Sequence, residues 1–330
     1  MGKPTISDLA RRAGVSPTTV SHAFSGRRHV DPETRERILG IAREMNYHPS
    51  SVARGLRSGR TGMIALASSM PFAIAAGPSR LGFLMEIAAS AAMSALTRDI
   101  ALCLIPPHPA ATGQSEIAVD GVILVEPGRD DPLVAHFEAR QTPLVSVGTV
   151  PGRPDIPAVD LRSRATATML LDHLRDRGSR RVATVIGGST RTSQTETDEA
   201  YHAFATRSGT EPILIALDEE GGEELAYRRS LDLLGDHPEI DGLYLSIDAF
   251  ASGAVRAARD LGRAIPGNLR IATRYDGLRA KLSEPPLTAV DLHLPEIADA
   301  AVELLRRRIE GGGGQTEAAL PMLVPRASTN

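Results

Sequence analysis

Residues 5–25, TISDLARRAGVSPTTVSHAFS, constrain this 330-residue chain more than any other stretch. They read as two short amphipathic helices joined by an Ala-Gly-Val turn, the form of a helix-turn-helix. Thr5 with Asp8 three residues on makes a capping-box-like start. Ile6, Leu9, Ala10 and Ala13 then recur at the spacing of one buried helical face. Gly14 suits the sharp turn, Ser16 caps the second helix, and Pro17 sits in its first turn, where a missing N–H costs nothing. Val15 and Val20 are placed as a hydrophobic staple across that cap. With Val20, Ala23 and Phe24 inward, the second helix presents Pro17, Thr18, Ser21 and His22 outward, a face without carboxylates that can approach a base edge. Ser16 and Thr19, beside the N–H groups of the helix start, suit phosphate oxygens. Thr5 and Thr34, at the starts of the first and third helices, are further phosphate candidates. The alternative is a small helical subdomain with solvated Ser and Thr.

Residues 30–34, VDPET, begin a third helix with Asp31 as cap, Pro32 at the first position and Glu33 near the positive helix end. Ile38, Ile41, Ala42 and Met45 form its apolar stripe, and Tyr47 can close a three-helix core. YHPSSVARGLRSGRTG follows. Pro49 stops the third helix, and Ser50 can cap a further turn or two through Leu56. So short a helix is marginal alone, and Gly55 weakens it. Leu56 has no core to join and is flanked by Arg54, Arg57 and Arg60. An apolar wedge between arginines is what minor-groove insertion requires, and a helix that orders only when docked on DNA accounts for the segment.

These residues resemble the lac repressor family of bacterial transcription regulators. The likeness rests on T-I-x-D-x-A-x-x-A-G-V-S-x-x-T-V-S, then V-x-x-x-T-R-x-R-I, then Y-x-P-x-x-x-A-R-x-L, in that order and separation. The resemblance implies that Pro17, Thr18 and His22 read bases in the major groove. It implies a hinge of Ser50, Ala53, Arg54 and Leu56, with Leu56 of each subunit wedged into the minor groove at the operator centre. His22 stands where many members carry Arg, which touches the operator sequence; Ser50 stands where many carry Asn, which leaves the hinge reading intact.

Charge divides the chain in the same way. Residues 1–60 hold eleven Lys or Arg against five Asp or Glu, net +6, and the remainder holds 26 against 35, net −9. A basic head on an acidic body favours nucleic acid at one end only. Two of the cations, Lys3 and Lys281, are lysines and the rest are arginines. The start MGKPTIS lacks an apolar signal segment, and no run approaches the roughly eighteen apolar residues of a membrane helix. A single cysteine, Cys103, in the apolar run IALCLI excludes a disulfide framework, as a cytoplasmic, nucleoid-associated protein would have it.

Beyond residue 62, strand-like segments (63–67, 100–105, 121–125, 144–148, 181–187, 213–217, 242–246, 269–273) alternate with helical ones (82–97, 131–140, 162–177, 196–207, 223–234, 250–261, 295–309). Short buried strands between helices imply parallel sheets covered on both faces. Two such sets suggest two similar lobes around a cleft built from the loops at the strand carboxyl ends. Gly311–Gly314 is read as a connector before a final strand-like LPMLVP. This body also resembles the family's effector domain, itself similar to periplasmic sugar-binding proteins, through V-D-G-V-I-L at 119–124, His173-Leu174 with Gly178 and R-V-A at 181–183, Asp248, and P-P-L-T-A-V at 285–290. The expected organisation is an all-α helix-turn-helix headpiece (1–48), a hinge and linker (49–61), and a two-lobed α/β effector and dimerisation domain (62–330). Its lobes are expected at about 62–160 plus 291–330, and at 161–290.

The resemblance implies a small-molecule effector in the cleft, in the first instance a carbohydrate, with Asp248 and Asp276 bonding ligand hydroxyls. The alternative for both aspartates is a helix cap or loop turn. Thr197 stands where many relatives carry a ligand-gripping Arg, and Glu219 where a stacking aromatic often lies. Arg80, Arg191 or Arg274 can supply a substitute cation. The chain has no Trp and 3% aromatic residues, so the usual flat platform for a sugar ring is missing. No catalytic residue, metal site or cofactor is expected: the glycine runs lack phosphate-loop spacing, and the nine histidines are scattered. The expectation is a homodimeric repressor on a palindromic operator, with no membrane association. A constitutive DNA-binding regulator with a vestigial cleft and a stand-alone solute-binding module are the alternatives.

Overall fold

Three helices, α1 (Ile6–Ala13), α2 (Pro17–Ser25) and α3 (Pro32–Glu44), form the described part of the N-terminal unit. Each begins on a side chain that satisfies an otherwise orphaned N–H. Asp8 N donates to Thr5 Oγ1 at 3.3 Å while Thr5 N donates to Asp8 Oδ2 at 3.1 Å. Thr19 N donates to Ser16 Oγ at 3.0 Å, and Thr34 N to Asp31 Oδ2 at 3.0 Å. Gly14, at φ +67°, turns the chain between α1 and α2 in a conformation only glycine adopts freely. Leu9, Ala10, Ala13, Val20, Ala23, Ile38 and Ala42 make the core, with Val15, Phe24 and Tyr47 packed against it.

The computed structural model describes residues 4–25, 28–47, 60–75, 82–105, 117–313, 316 and 318–330. Its chain separates into two units, Met1–Gly62 and Met63–Asn330. In the second, β1 (Met63–Ala67), β2 (Ala101–Ile105), β3 (Gly121–Val125), β4 (Leu144–Val147) and β5 (Ala158–Val159) form a parallel sheet in the order β2-β1-β3-β4-β5. A second parallel sheet has the order β7-β6-β8-β9, from β6 (Val182–Gly187), β7 (Leu214–Leu217), β8 (Gly242–Leu245) and β9 (Arg270–Thr273). Strands β3, β4, β6 and β8 are buried along their whole length, as strands covered on both faces must be, whereas the edge strand β2 is partly exposed.

Between the strands lie α4 (Phe72–Ala75), α5 (Phe83–Leu96), α6 (Pro132–Ala139), α7 (Ser163–Asp176), α8 (Thr192–Ser208), α9 (Gly222–Asp236), α10 (Asp248–Asp260) and α11 (Leu278–Leu282). A last helix, α12 (Leu294–Ile309), returns to pack on α5, β3 and β4 of the first sheet. The terminal segment then forms β11 (Met322–Val324), antiparallel to β10 (Ala289–Asp291) with Val290 opposite Leu323. Beyond it Ser328 and Thr329 are buried: Ser328 Oγ donates to Ile271 O at 2.6 Å, and Thr329 Oγ1 lies 2.8 Å from His173 Nε2. His173 is therefore a structural clasp on the chain terminus. Burial, then nearby Arg177, holds its imidazole below the usual range.

Candidate nucleic-acid interface and effector cleft

On α2, Pro17 and Thr18 are exposed, with Ser16 exposed just before them, while Ser21 and His22 are half-buried at the flank of the same face. The hydroxyls expected at phosphates also hold the helix starts. Ser16 Oγ lies 2.9 Å from Thr19 Oγ1, and Thr5 Oγ1 donates to Asp8 at 2.7 Å. Thr34 bonds Asp31 through its backbone and its side chain. These bonds hold both aspartates below the usual carboxylate range, Asp8 through Thr5 and Asp31 through Thr34. A hydroxyl has one proton to donate. Thr5 and Thr34 give theirs to these carboxylates and would meet a phosphate oxygen by exchanging that bond, whereas Ser16 and Thr19 share one bond and keep one proton for a further acceptor. Arg11 and Arg12 lie on the surface, paired with Asp8 at 2.6 Å and Glu44 at 3.3 Å. Arg35 Nε donates to Ala23 O at 3.0 Å and so ties α3 to the end of α2. The hinge residues Ser50, Ala53, Arg54 and Leu56, and Arg80 of the body, lie outside the described residues.

In the body, the carboxyl ends of the strands of both sheets meet around buried charge. Glu126, directly after β3, accepts from Arg274 Nη2 at 2.9 Å, directly after β9. Its other oxygen faces Arg191 Nε, at the start of α8, at 3.9 Å. Arg191 Nη2 in turn meets Glu219 Oε2 at 2.7 Å, in the 3-10 turn after β7. All four residues are at most 5% exposed. Burial pushes the Glu126 carboxyl up, but Arg274 and Arg191 overcome this and hold it below the ordinary range. Beside this quartet, Thr192 Oγ1 donates to Thr149 O at 2.9 Å, and Arg129 N donates to Thr190 Oγ1 at 2.9 Å, joining the loops of the two sheets. A cavity of about 10 Å³ between Glu126, Thr149, Asp160, Ser163, Thr192 and Ser193 has room for roughly one water.

Four of the expected effector residues occupy this strand-end region, Arg191 and Arg274 within the quartet and Asp248 and Asp276 in two further clusters. Arg191 and Arg274 converge on Glu126. Asp248, in the first turn of α10, faces Arg279 Nε at 3.6 Å and accepts from Ala249 N at 2.8 Å. Burial outweighs both partners and pushes its carboxyl up to about 6. Asp276 pairs with Arg326 at 2.5 Å and Lys281 at 3.6 Å. Thr197 lies apart from the quartet: it is fully buried on α8, and its hydroxyl donates to Ser193 O at 2.8 Å. Glu126, Arg279 and Gln194 were not singled out by sequence. Glu126 had a readable signal, because it follows the apolar strand GVILV where a parallel sheet presents its ligand-facing loops. Gln194 had none, since its role comes from folding: its Oε1 accepts from Gly187 N at 2.8 Å and Ser246 Oγ at 2.6 Å.

Among the described residues, no helix is long and apolar enough to cross a membrane, and no group of three or more His, Cys, Asp or Glu is placed to hold a metal ion.

Residues 5–50 match the lacI family of bacterial regulatory proteins, and residues 171–329 match the periplasmic binding protein-like domain. The chain is 28% identical over 310 residues to the ribose operon repressor of Halalkalibacterium halodurans, covering 93% of this chain and 90% of that one. It is 28% identical to the HTH-type transcriptional regulator CelR of Thermobifida fusca, covering 94% and 93%. Among solved structures, it superposes on the lac repressor dimer bound to operator and the anti-inducer ONPF with a TM-score of 0.81 at 21% identity, covering 99% of each chain. A CelR–cellobiose complex gives a TM-score of 0.70 at 24% identity, covering 98% and 99%. At those identities the superpositions speak for the fold: a helix-turn-helix head with a two-lobed, periplasmic-binding-protein-like α/β body. With both sequence matches in chain order and full-length relatives that are transcriptional regulators, the chain carries a lacI-family helix-turn-helix domain ahead of a periplasmic binding protein-like domain and is a DNA-binding transcriptional regulator.

Proposed function

We propose that the protein is a cytoplasmic repressor without enzymatic activity that binds a palindromic operator as a homodimer, its DNA affinity set by a small molecule in the cleft of the body. The observation that carries the DNA reading is α2 itself. It is a capped helix whose exposed face, led by Pro17 and Thr18 with Ser21 and His22 at its flank, has no carboxylate to repel a phosphate backbone. One such helix reads a half-site, so two-fold pairing supplies both affinity and the palindrome. Pairing is supported by Met93 and Leu96, one turn apart on α5, and Leu104 on the edge strand β2, all more than half exposed. Ser16, Thr19, Thr5 and Thr34 position the head on phosphates, and residues 49–61 form the hinge that places Leu56 in the minor groove.

The test is selection of bound sequences from random duplex DNA, with wild type and His22→Ala. Wild type should enrich one two-fold symmetric sequence. His22→Ala should relax one symmetric pair of positions by about 1–3 kcal/mol each. No enriched sequence would overturn the reading, and a uniform loss across sequences would move His22 to a phosphate contact. A second reading, a constitutive regulator with a vestigial cleft, is favoured by one observation: the cleft's own carboxylates already pair with Arg191 and Arg274.

A further inference from the structure

We propose that the group this cleft recognises on its effector is an anion, a carboxylate or phosphate ester, which takes the place of Glu219 at Arg191; this rests on the effector reading above. Arg191 and Arg274 are buried guanidinium groups, and a buried cation is strongly destabilising unless an anionic partner sits beside it. Their two carboxylates are held differently. Glu126 is fixed: its backbone sits at φ +46°, a strained conformation for a residue with a side chain, and that geometry accompanies a side chain shared between both arginines. Glu219 is held through one oxygen only. Its Oε2 meets Arg191, while its buried Oε1 has no hydrogen-bond partner. The side chain lies in the space a Cβ on Gly187 would fill, so a glycine at that strand end keeps the slot open.

Removing Glu219 from the quartet leaves two arginines against Glu126, a net charge of one. A neutral sugar would leave that charge uncompensated in a buried site, whereas an acidic ligand restores the balance. Donors for it are in place. Arg191 Nε, which faces Glu126 at 3.9 Å, and Arg274 Nε are buried without a hydrogen bond among the described residues. The 17-residue helix α8 also starts at this point and directs its positive end to it. The nearby rings offer no free platform: Phe83 and Tyr275 meet edge to face at 5.5 Å, and the Tyr275 hydroxyl is bonded to Glu86.

The test is thermal unfolding of the full chain at fixed ionic strength. Acidic probes are inorganic phosphate, citrate and glucose 6-phosphate; neutral probes are glucose, ribose and cellobiose. Acidic probes should raise Tm with concentration, and neutral ones should not. Glu219→Gln frees Arg191 and should tighten the acidic probes by about tenfold or more, because a site its own side chain occupies most of the time shows only a fraction of its intrinsic affinity. Arg191→Gln should abolish the response and serves as the control for general salt effects. The anion site is overturned if phosphate and citrate act equally on wild type, Glu219→Gln and Arg191→Gln. If neutral sugars stabilise wild type instead, the anion site falls while the effector reading stands. If neither class shifts wild type or Glu219→Gln, both fall and the vestigial cleft is favoured.

Discussion

In the N-terminal unit the arginine side chains of Arg11 and Arg12 remain 80% and 59% exposed even while paired, whereas in the body those of Arg191 and Arg274 are 5% exposed. Water solvates the first pair, so their bonds to Asp8 and Glu44 are worth little and are exchanged for phosphate contacts at small cost. Stripping water from the second pair is expensive, so each must keep an anionic partner wherever the chain goes. The same planar, weakly hydrated guanidinium suits both settings. In the head it attracts an external polyanion. In the body it fixes which loops meet and which ligands can enter.

Removing one partner from each region gives the largest expected contrast. Glu126→Ala leaves Arg274 without a carboxylate and Arg191 with Glu219 alone, and should cost the body about 3–5 kcal/mol in urea unfolding followed by circular dichroism. Glu44→Ala, which frees Arg12 on the surface, should cost under about 1 kcal/mol. Equal, small losses would show that water reaches the Glu126 quartet and would erase the distinction between the two regions.

The head was legible almost residue by residue because its signals are local. Caps at Thr5, Ser16 and Asp31 and the apolar spacing of Leu9, Ala10 and Ala13 act within a few residues of themselves. The body's eight expected strands appear within a residue or so of their places, since parallel strands are short apolar runs. What escaped depends on distant partners. α8 begins at Thr192, before the expected residue 196, because Thr192 and Gln194 gain bonds to Thr149, Gly187 and Ser246 that outweigh the weak helix preference of Thr-Ser-Gln-Thr. β5, of two residues, and β10, of three, are too short for a periodic signal. Arg191 and Arg274 are legible in the sequence as candidate cations, but their convergence on Glu126 joins positions 65 to 148 residues apart, which spacing cannot reveal.

Acid should separate the regions next. Asp248 carries a folded-state value near 6 against an ordinary 3.8, so the folded body binds its proton more tightly than the unfolded chain. Its contribution to stability is full below about pH 4 and is lost as pH rises through 6, a swing on the order of 3 kcal/mol. Asp8 and Asp31 are shifted the other way, so their contribution is present above the ordinary value and lost as pH falls through their lowered ones. Comparing wild type with Asp248→Asn from pH 4 to 7 should show the body's Tm in wild type falling relative to Asp248→Asn as pH rises. A constant difference would mean that Asp248 is ionised throughout and that Arg279 outweighs its burial.

The smallest effect tests whether a head hydroxyl has one role or two. Ser16 Oγ accepts from Thr19 N, so Ser16→Ala should cost about 1 kcal/mol of head stability, and Ser16→Gly only a few tenths, because glycine tolerates the cap position. Hydrogen exchange of the α2 amides measures that cost without reference to DNA. If Ser16 only caps, operator affinity should follow the exchange data, with Ser16→Gly close to wild type. If its hydroxyl also meets a phosphate, both variants lose the same contact. Ser16→Gly would then bind weakly while its α2 amides stay protected, and that split between stability and affinity would mark the residue as part of the DNA interface.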